Sequence, residues 1–147
     1  MIFYRVIGKR TSDHLEEIKS SDGSTIAIVV RKNFNKEGIN FLSEGNFPLQ
    51  LGINSYKKGY KIKGHFHQKR EVVVNSIQEV IYFKSGRALV ELYDLNKKLV
   101  KSISLSAGDL IFFVDGGHGF EMAEDTTFIE VKQGPYLGKD TDKELIE

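Results

Sequence analysis

The sequence predicts an all-β fold, a single domain closed into a small barrel. Three observations lead there. Glycine is frequent and proline scarce, at 14 and 2 residues in a chain of 147. Short β-rich runs alternate with turn-prone pairs such as Lys58-Gly59, Ser85-Gly86, Leu95-Asn96 and Ala107-Gly108, the pattern of a sandwich or barrel. Many short strands in one domain would leave many open edges, and closing the sheet removes them.

The expected strands are Phe3–Ile7, Thr25–Arg31, Leu49–Tyr56, Tyr60–His67, Glu71–Val74, Glu79–Phe83, Ala88–Tyr93, Leu99–Leu105, Asp109–Val114, Gly119–Met122 and Thr127–Lys132. Only Ser12–Ser20 reads as a helix, with Asp13 and Glu16 spaced as a capping box. Residues 1–137 make the barrel, and the mostly charged 138–147 segment reads as a loosely held tail. No repeat, low-complexity segment or interdomain linker interrupts this plan.

Composition narrows the function classes. Lysine plus arginine exceeds aspartate plus glutamate by one, so global charge points to neither nucleic acid nor membrane as a partner. The chain has no cysteine, which excludes disulfide scaffolds, thiolate metal sites and a catalytic thiol. The opening MIFYRVIGKR is too short and too charged for a signal core. No apolar run is long enough to cross a membrane as a helix. The default expectation is a cytoplasmic protein.

The chemistry-bearing residues cluster on the strands. His65 and His67 are two apart on an expected strand, so both side chains leave one face roughly 6.5–7 Å apart at Cα. Two imidazoles so placed can converge on one ion; the plain alternative is two polar residues on a solvated face. In Glu79–Phe83 the alternation puts Glu79 on the face of Ile81 and Phe83, an unusual place for a carboxylate. His118 follows Gly116-Gly117 after an apolar strand, so a tight turn would deliver a third imidazole. His14 reads as a surface residue.

These residues resemble the motifs of the cupin family. Gly64-His65-Phe66-His67 with Glu79, and six residues between Glu79 and Gly86, is similar to the first motif; Gly108 through Leu110–Val114 to His118 is similar to the second. The resemblance implies a cupin, a double-stranded β-helix or jelly-roll barrel, with His65, His67, Glu79 and His118 on the four metal-ligand positions. The chain departs from the pattern in three places. Eleven residues separate His67 from Glu79, several more than in the family, so either Arg70–Ile77 is a hairpin insertion or Glu79 does not ligate. Val114 stands in place of a proline in a turn one residue short, and Met122 in place of an asparagine. Three imidazoles and a carboxylate suit a divalent transition metal, Zn, Mn, Fe, Ni or Cu alike.

Lys57, Lys58, Lys61, Lys63, Lys69 and Arg70 crowd the histidine pair with no acidic residue among them. They would attract a small anionic molecule such as a sugar nucleotide, or simply protect an edge strand. Glu121 could serve as an acid/base group or lie on the surface, and Tyr136 could cap a cavity or anchor the tail. The resemblance to sugar-processing cupins implies an isomerase-like or epimerase-like reaction beside a carbonyl, with His65 or His67 as base and Tyr56 assisting. A non-haem metal dioxygenase and a non-catalytic small-molecule-binding cupin are the alternatives, and the expected assembly is a homodimer.

Overall fold

A computed structural model describes residues 5–6 and 11–146, with side chains from Ser12 to Ile146. Among these residues the chain forms β1 (Arg5–Val6), β2 (Thr11–Ser12), β3 (Leu15–Lys19), β4 (Thr25–Val30), β5 (Gly38–Phe41), β6 (Gly52–Ser55), β7 (Glu79–Ser85), β8 (Arg87–Tyr93), β9 (Leu99–Ser106), β10 (Leu110–Phe113), β11 (Gly117–Met122), β12 (Thr127–Lys132) and one helical turn, α1 (Lys139–Asp142). The fold is therefore nearly all-β, as the alternation of the sequence predicts. No helix among the described residues is long and apolar enough to cross a membrane.

The strands make three open sheets rather than the closed barrel expected from the sequence. Six strands run in the order β12-β7-β10-β4-β3-β2, with β1-β5-β6 and β11-β8-β9 as three-stranded sheets. Every adjacent pair is antiparallel except β1 with β5. The central strands β4 and β10 are apolar on both faces, and the structure uses both. Ala27, Val29, Ile111 and Phe113 enter a core with Ala88, Val90, Leu92, Ile103 and Leu105 of the β11-β8-β9 sheet. Ile28, Val30 and Phe112 enter a second core with Leu42, Leu51 and Ile53. A strand buried on both sides reads as a continuous apolar run, and TIAIVV and LIFF are such runs.

Two expected elements take another form. Ser12–Ser20 is a β-hairpin, not a helix: Ser12 pairs with Leu15 and Leu15 with Val30. Leu15 and Ile18, three apart in unbroken register, serve opposite faces, Leu15 in the second core and Ile18 in the first. Tyr60–His67 and Glu71–Val74 are not strands; their alternation is real, but no neighbouring strand ladders with them, and an extended segment alone is not stable. Of Phe3–Ile7, only Arg5 and Val6 lie within the described residues. The unforeseen β5 contains Asn40, buried, whose side-chain amide donates to the carbonyls of Lys36, Glu37 and Gly38.

One buried carboxylate ties the sheets at a corner. Asp109, 4% exposed, accepts from the backbone N–H groups of Lys32 and Ser106 and from Arg31 Nη1, each at 3.0 Å. Arg31 Nη1 also donates to the Ser104 carbonyl at 2.8 Å, so one ion pair joins β4, β9 and the β9–β10 turn. Asp109→Ala leaves two backbone donors without an acceptor and Arg31 without its counter-charge, and is expected to cost about 3 kcal/mol. Arg87→Ala, which removes the half-exposed pair with Glu124 at 2.9 Å, should cost less than about 1 kcal/mol. Urea denaturation of the two variants checks the contrast; equal losses would contradict it.

Candidate functional site

Glu79 opens β7 opposite Phe113 of β10 and Lys132 of β12. Directly paired residues share a face, so Glu79, Phe113 and Lys132 point together into the space between the six-stranded sheet and β11-β8-β9. His118 enters the same space from the other side, on β11 beside Leu92 of β8. The turn that delivers it needs glycine at Gly116: φ is +76°, and a Cβ there would sit 2.2 Å from the Tyr93 carbonyl oxygen. Backbone of this kind is open to glycine alone.

His118 stacks on Phe113, with ring centroids 3.9 Å apart and planes 19° from parallel, and meets Phe120 edge-on at 5.6 Å. Phe120 stacks in turn on Phe128 of β12 at 5.8 Å. His118 Nε2 lies 3.8 Å from Glu79 Oε1. That separation is an ion pair only when the imidazole is protonated. Burial pushes the His118 pKa down to about 4, with Lys143 and Lys132 lowering it further against Glu130, so the ring is neutral near pH 7. Burial and the charge of Glu130 raise the Glu79 pKa, against Lys132 and Lys143. The site is thus a neutral imidazole and a carboxyl group at the open end of an aromatic interior.

Glu130, Lys132 and Lys143 are the neighbours that sequence reasoning missed. Glu130 and Lys132 were legible as inward positions of β12, since Lys132 pairs with Glu79 and Glu130 with Ile81. Lys143 carries no such signal; it arrives because the C-terminal segment folds back. Asp142 Oδ2 lies 3.8 Å from Lys132 Nζ, Lys97 Nζ donates to Glu144 at 2.6 Å, and Ile146 packs against Gly117. The expected tail is therefore held across the end of the two sheets. Tyr136 is exposed, with Lys132 Nζ 5.2 Å from its ring centre, and Glu121 is exposed.

The structure brings Glu79 and His118 together, and separately His65 and His67, whose ring centroids are 5.3 Å apart. It does not unite the two pairs. No group of three or more histidine, aspartate or glutamate side chains among the described residues is close enough to hold a metal ion. His65 and His67 stand on an exposed segment, with Phe66 between them 97% exposed. Tyr56 stacks on Tyr60 at 4.7 Å, at the root of the same segment. A separate cleft of about 460 Å³, lined in part by Lys19, Glu44, Asn75, Gln78 and Asp115, includes none of these residues. Comparison with protein-family models, with curated proteins and with solved structures finds no match.

The depressed pKa of His118 fixes the sign of a pH effect. An unfolded imidazole takes a proton near pH 6.5 and the folded one only near 4, so the unfolded state binds more protons between those values. The His118 contribution to stability is therefore present above pH 6.5 and lost as pH falls towards about 4. His118→Phe, which keeps the stacking on Phe113, should flatten that part of the curve of unfolding free energy against pH. A variant that follows the parent through pH 4–6.5 would overturn the assignment.

Proposed function

We propose that this chain is a cupin-like metal-binding protein acting on a small anionic metabolite, with Glu79 and His118 as the donors its sheets supply. The observation that carries the reading is the meeting of a neutral imidazole and an inward carboxylate, 3.8 Å apart, from two facing sheets. Metal ligands must be deprotonated, and an imidazole that resists protonation to about pH 4 is in its ligating form throughout the neutral range. His65 and His67 are the imidazoles that would complete a 3-His-1-carboxylate set, and their exposed segment leaves both rings accessible. A divalent transition metal in such a set supplies a Lewis acid for a bound carbonyl or hydroxyl oxygen.

The remaining groups suit an anion. Lys132 and Lys143 act electrostatically on both Glu79 and His118, and they place positive charge beside the site. Six more cations, from Lys57 to Arg70, flank the histidine pair. Phe120 and Phe128 give the interior an apolar wall that keeps the site partly dry. Lower local dielectric strengthens each charge contact made there. A sugar nucleotide or sugar phosphate combines the anionic group and hydroxyls such a site could hold, and Tyr56 and the histidines are the candidates for moving a proton beside its carbonyl.

Two measurements test the reading. Elemental analysis of protein purified without chelator should find a transition metal, and His118→Ala should weaken its binding at least about 10-fold, the scale on which even supporting groups of metal ligands act. Metal-free protein that takes up no added Zn²⁺, Mn²⁺ or Co²⁺ overturns it. Among sugar nucleotides and dicarboxylates, a true ligand at 100 times its dissociation constant should stabilise the fold by about 2.7 kcal/mol.

A further inference from the structure

The stretch between β6 and β7 is an arm whose return, at Val73, Asn75, Ser76 and Gln78, lines the cleft on its own body and whose middle stands off it. Residues 56–78 belong to no strand or helix. Among the described residues, no hydrogen bond or ion pair joins 58–75 to the rest of the chain; the bonds made there are local, Tyr60 N–H to the Lys57 carbonyl and His65 Nδ1 against the Lys63 carbonyl. Phe66 is 97% exposed and Val73 78%. Yet the arm has the pattern of a strand with two unlike faces: Lys61, Lys63, His65 and His67 alternate with Tyr60, Ile62 and Phe66. Such a segment is stable only when it ladders onto an edge.

The edge it fits is that of β11. In the order β11-β8-β9, β11 is terminal, and among the described residues its outer side has no partner strand. His118 points inward from it. A strand laddered there would lie about 4.8 Å away, with alternate side chains entering the same interior beside His118. Histidines two apart, as His65 and His67 are, would both enter. Over the whole chain charge is complementary, since residues 56–78 hold six lysines or arginines and one glutamate, which leaves −4 on the rest of a chain of net charge +1; Lys132 and Lys143 beside the site act the other way. Glu130 on β12 supplies the local negative charge that acts on both Glu79 and His118.

In its own copy the arm does not ladder onto this edge. Its root carries an exposed pair of Lys57 with Glu37 at 3.0 Å, and its return is held by Ser76 donating to Asp115 at 3.0 Å. Rooted so, His65 and His67 form no metal-sized group with Glu79 and His118. We infer that the occupant of the edge is the arm of a second copy. Two chains related by a two-fold axis exchange arms, each laying Tyr60–His67 along β11 of the other and bringing His65 and His67 to that copy's Glu79 and His118. This rests on the metal-centre reading above and assigns two of its four donors to the partner.

The test uses full-length chains carrying different tags, with Co²⁺ as the probe. His65→Ala/His67→Ala removes the donors of the arm; Glu79→Gln/His118→Phe removes those of the body while keeping the ring stack. Each variant alone should bind Co²⁺ at least about 10-fold more weakly than the parent. Mixed dimers, made by unfolding and refolding the two together and isolated through both tags, should regain one parent-like Co²⁺ site per dimer, because one intact arm meets one intact body. Mixed dimers without such a site, when the parent has one, overturn the exchange. A parent that sediments as a monomer at micromolar concentration with Co²⁺ overturns it as well. If the parent binds no Co²⁺, the metal reading fails and the exchange is judged alone, by replacing 58–75 with a short Gly-Ser linker. A shift from dimer to monomer then supports exchange, and a persistent dimer or an unchanged monomer refutes it.

Discussion

Burial of the β4–β10 ladder on both faces is the constraint on which the structure depends. Val30, Val29, Ile28 and Ala27 face Leu110, Ile111, Phe112 and Phe113 in turn, and alternate pairs are shared between two cores. Neither three-stranded sheet could hide its apolar face without that central pair, because each uses one side of it. The candidate site follows from the same arrangement. Phe113 is the last residue of the ladder, and its inward ring is the surface on which His118 lies. The ring that stops water from reaching the imidazole on one side is thus an extension of the core.

Electrostatics at the site are set by shape more than by pairing. Burial is the largest influence on both His118 and Glu79, and it acts on them in opposite directions, favouring the neutral ring and raising the pKa of the carboxyl group. Lys132, Lys143 and Glu130 modify that result from the rim. The rim thus carries both signs of charge around the imidazole and the carboxyl group.

Much of this was legible in the sequence, and the failures have particular causes. Strands β7 to β12 were readable because the alternation of residues such as Glu79, Ile81 and Phe83 is undisturbed. The inward course of Glu79 came from the same signal, and the delivery of His118 from the Gly116-Gly117 pair, although His118 lies within β11 and not before it. The hairpin at Ser12–Lys19 was misread because Asp13 and Glu16 have the spacing of a capping box, and Leu15 and Ile18, which serve different cores, do not contradict a helix. Strand β5 was missed because Asn40 is buried there, bonded to carbonyls that no local pattern reveals. The histidine arm has strand character in sequence, but strand character is a statement about a residue's faces and not about which edge it will meet. Closure of the sheets into a barrel was inferred from the need to hide edges, a need that additional sheets and a second chain can also meet.

The exposed arm also divides the chain in a way the sheets ignore. Strands β1 to β6 precede it and β7 to β12 follow it, yet β4 from the first group ladders onto β10 from the second, and β10 onto β7. The peptide bonds of the arm therefore contribute nothing to the ladder that carries the cores. Trypsin, offered the lysines and arginine between Lys57 and Arg70, would cut where the backbone is open, and the two fragments would remain associated through the β4–β10 hydrogen bonds and the side chains interleaved on either side of them. The molecule is in this sense two complementary peptides joined by a handle, and the handle is the part free to be given to another copy.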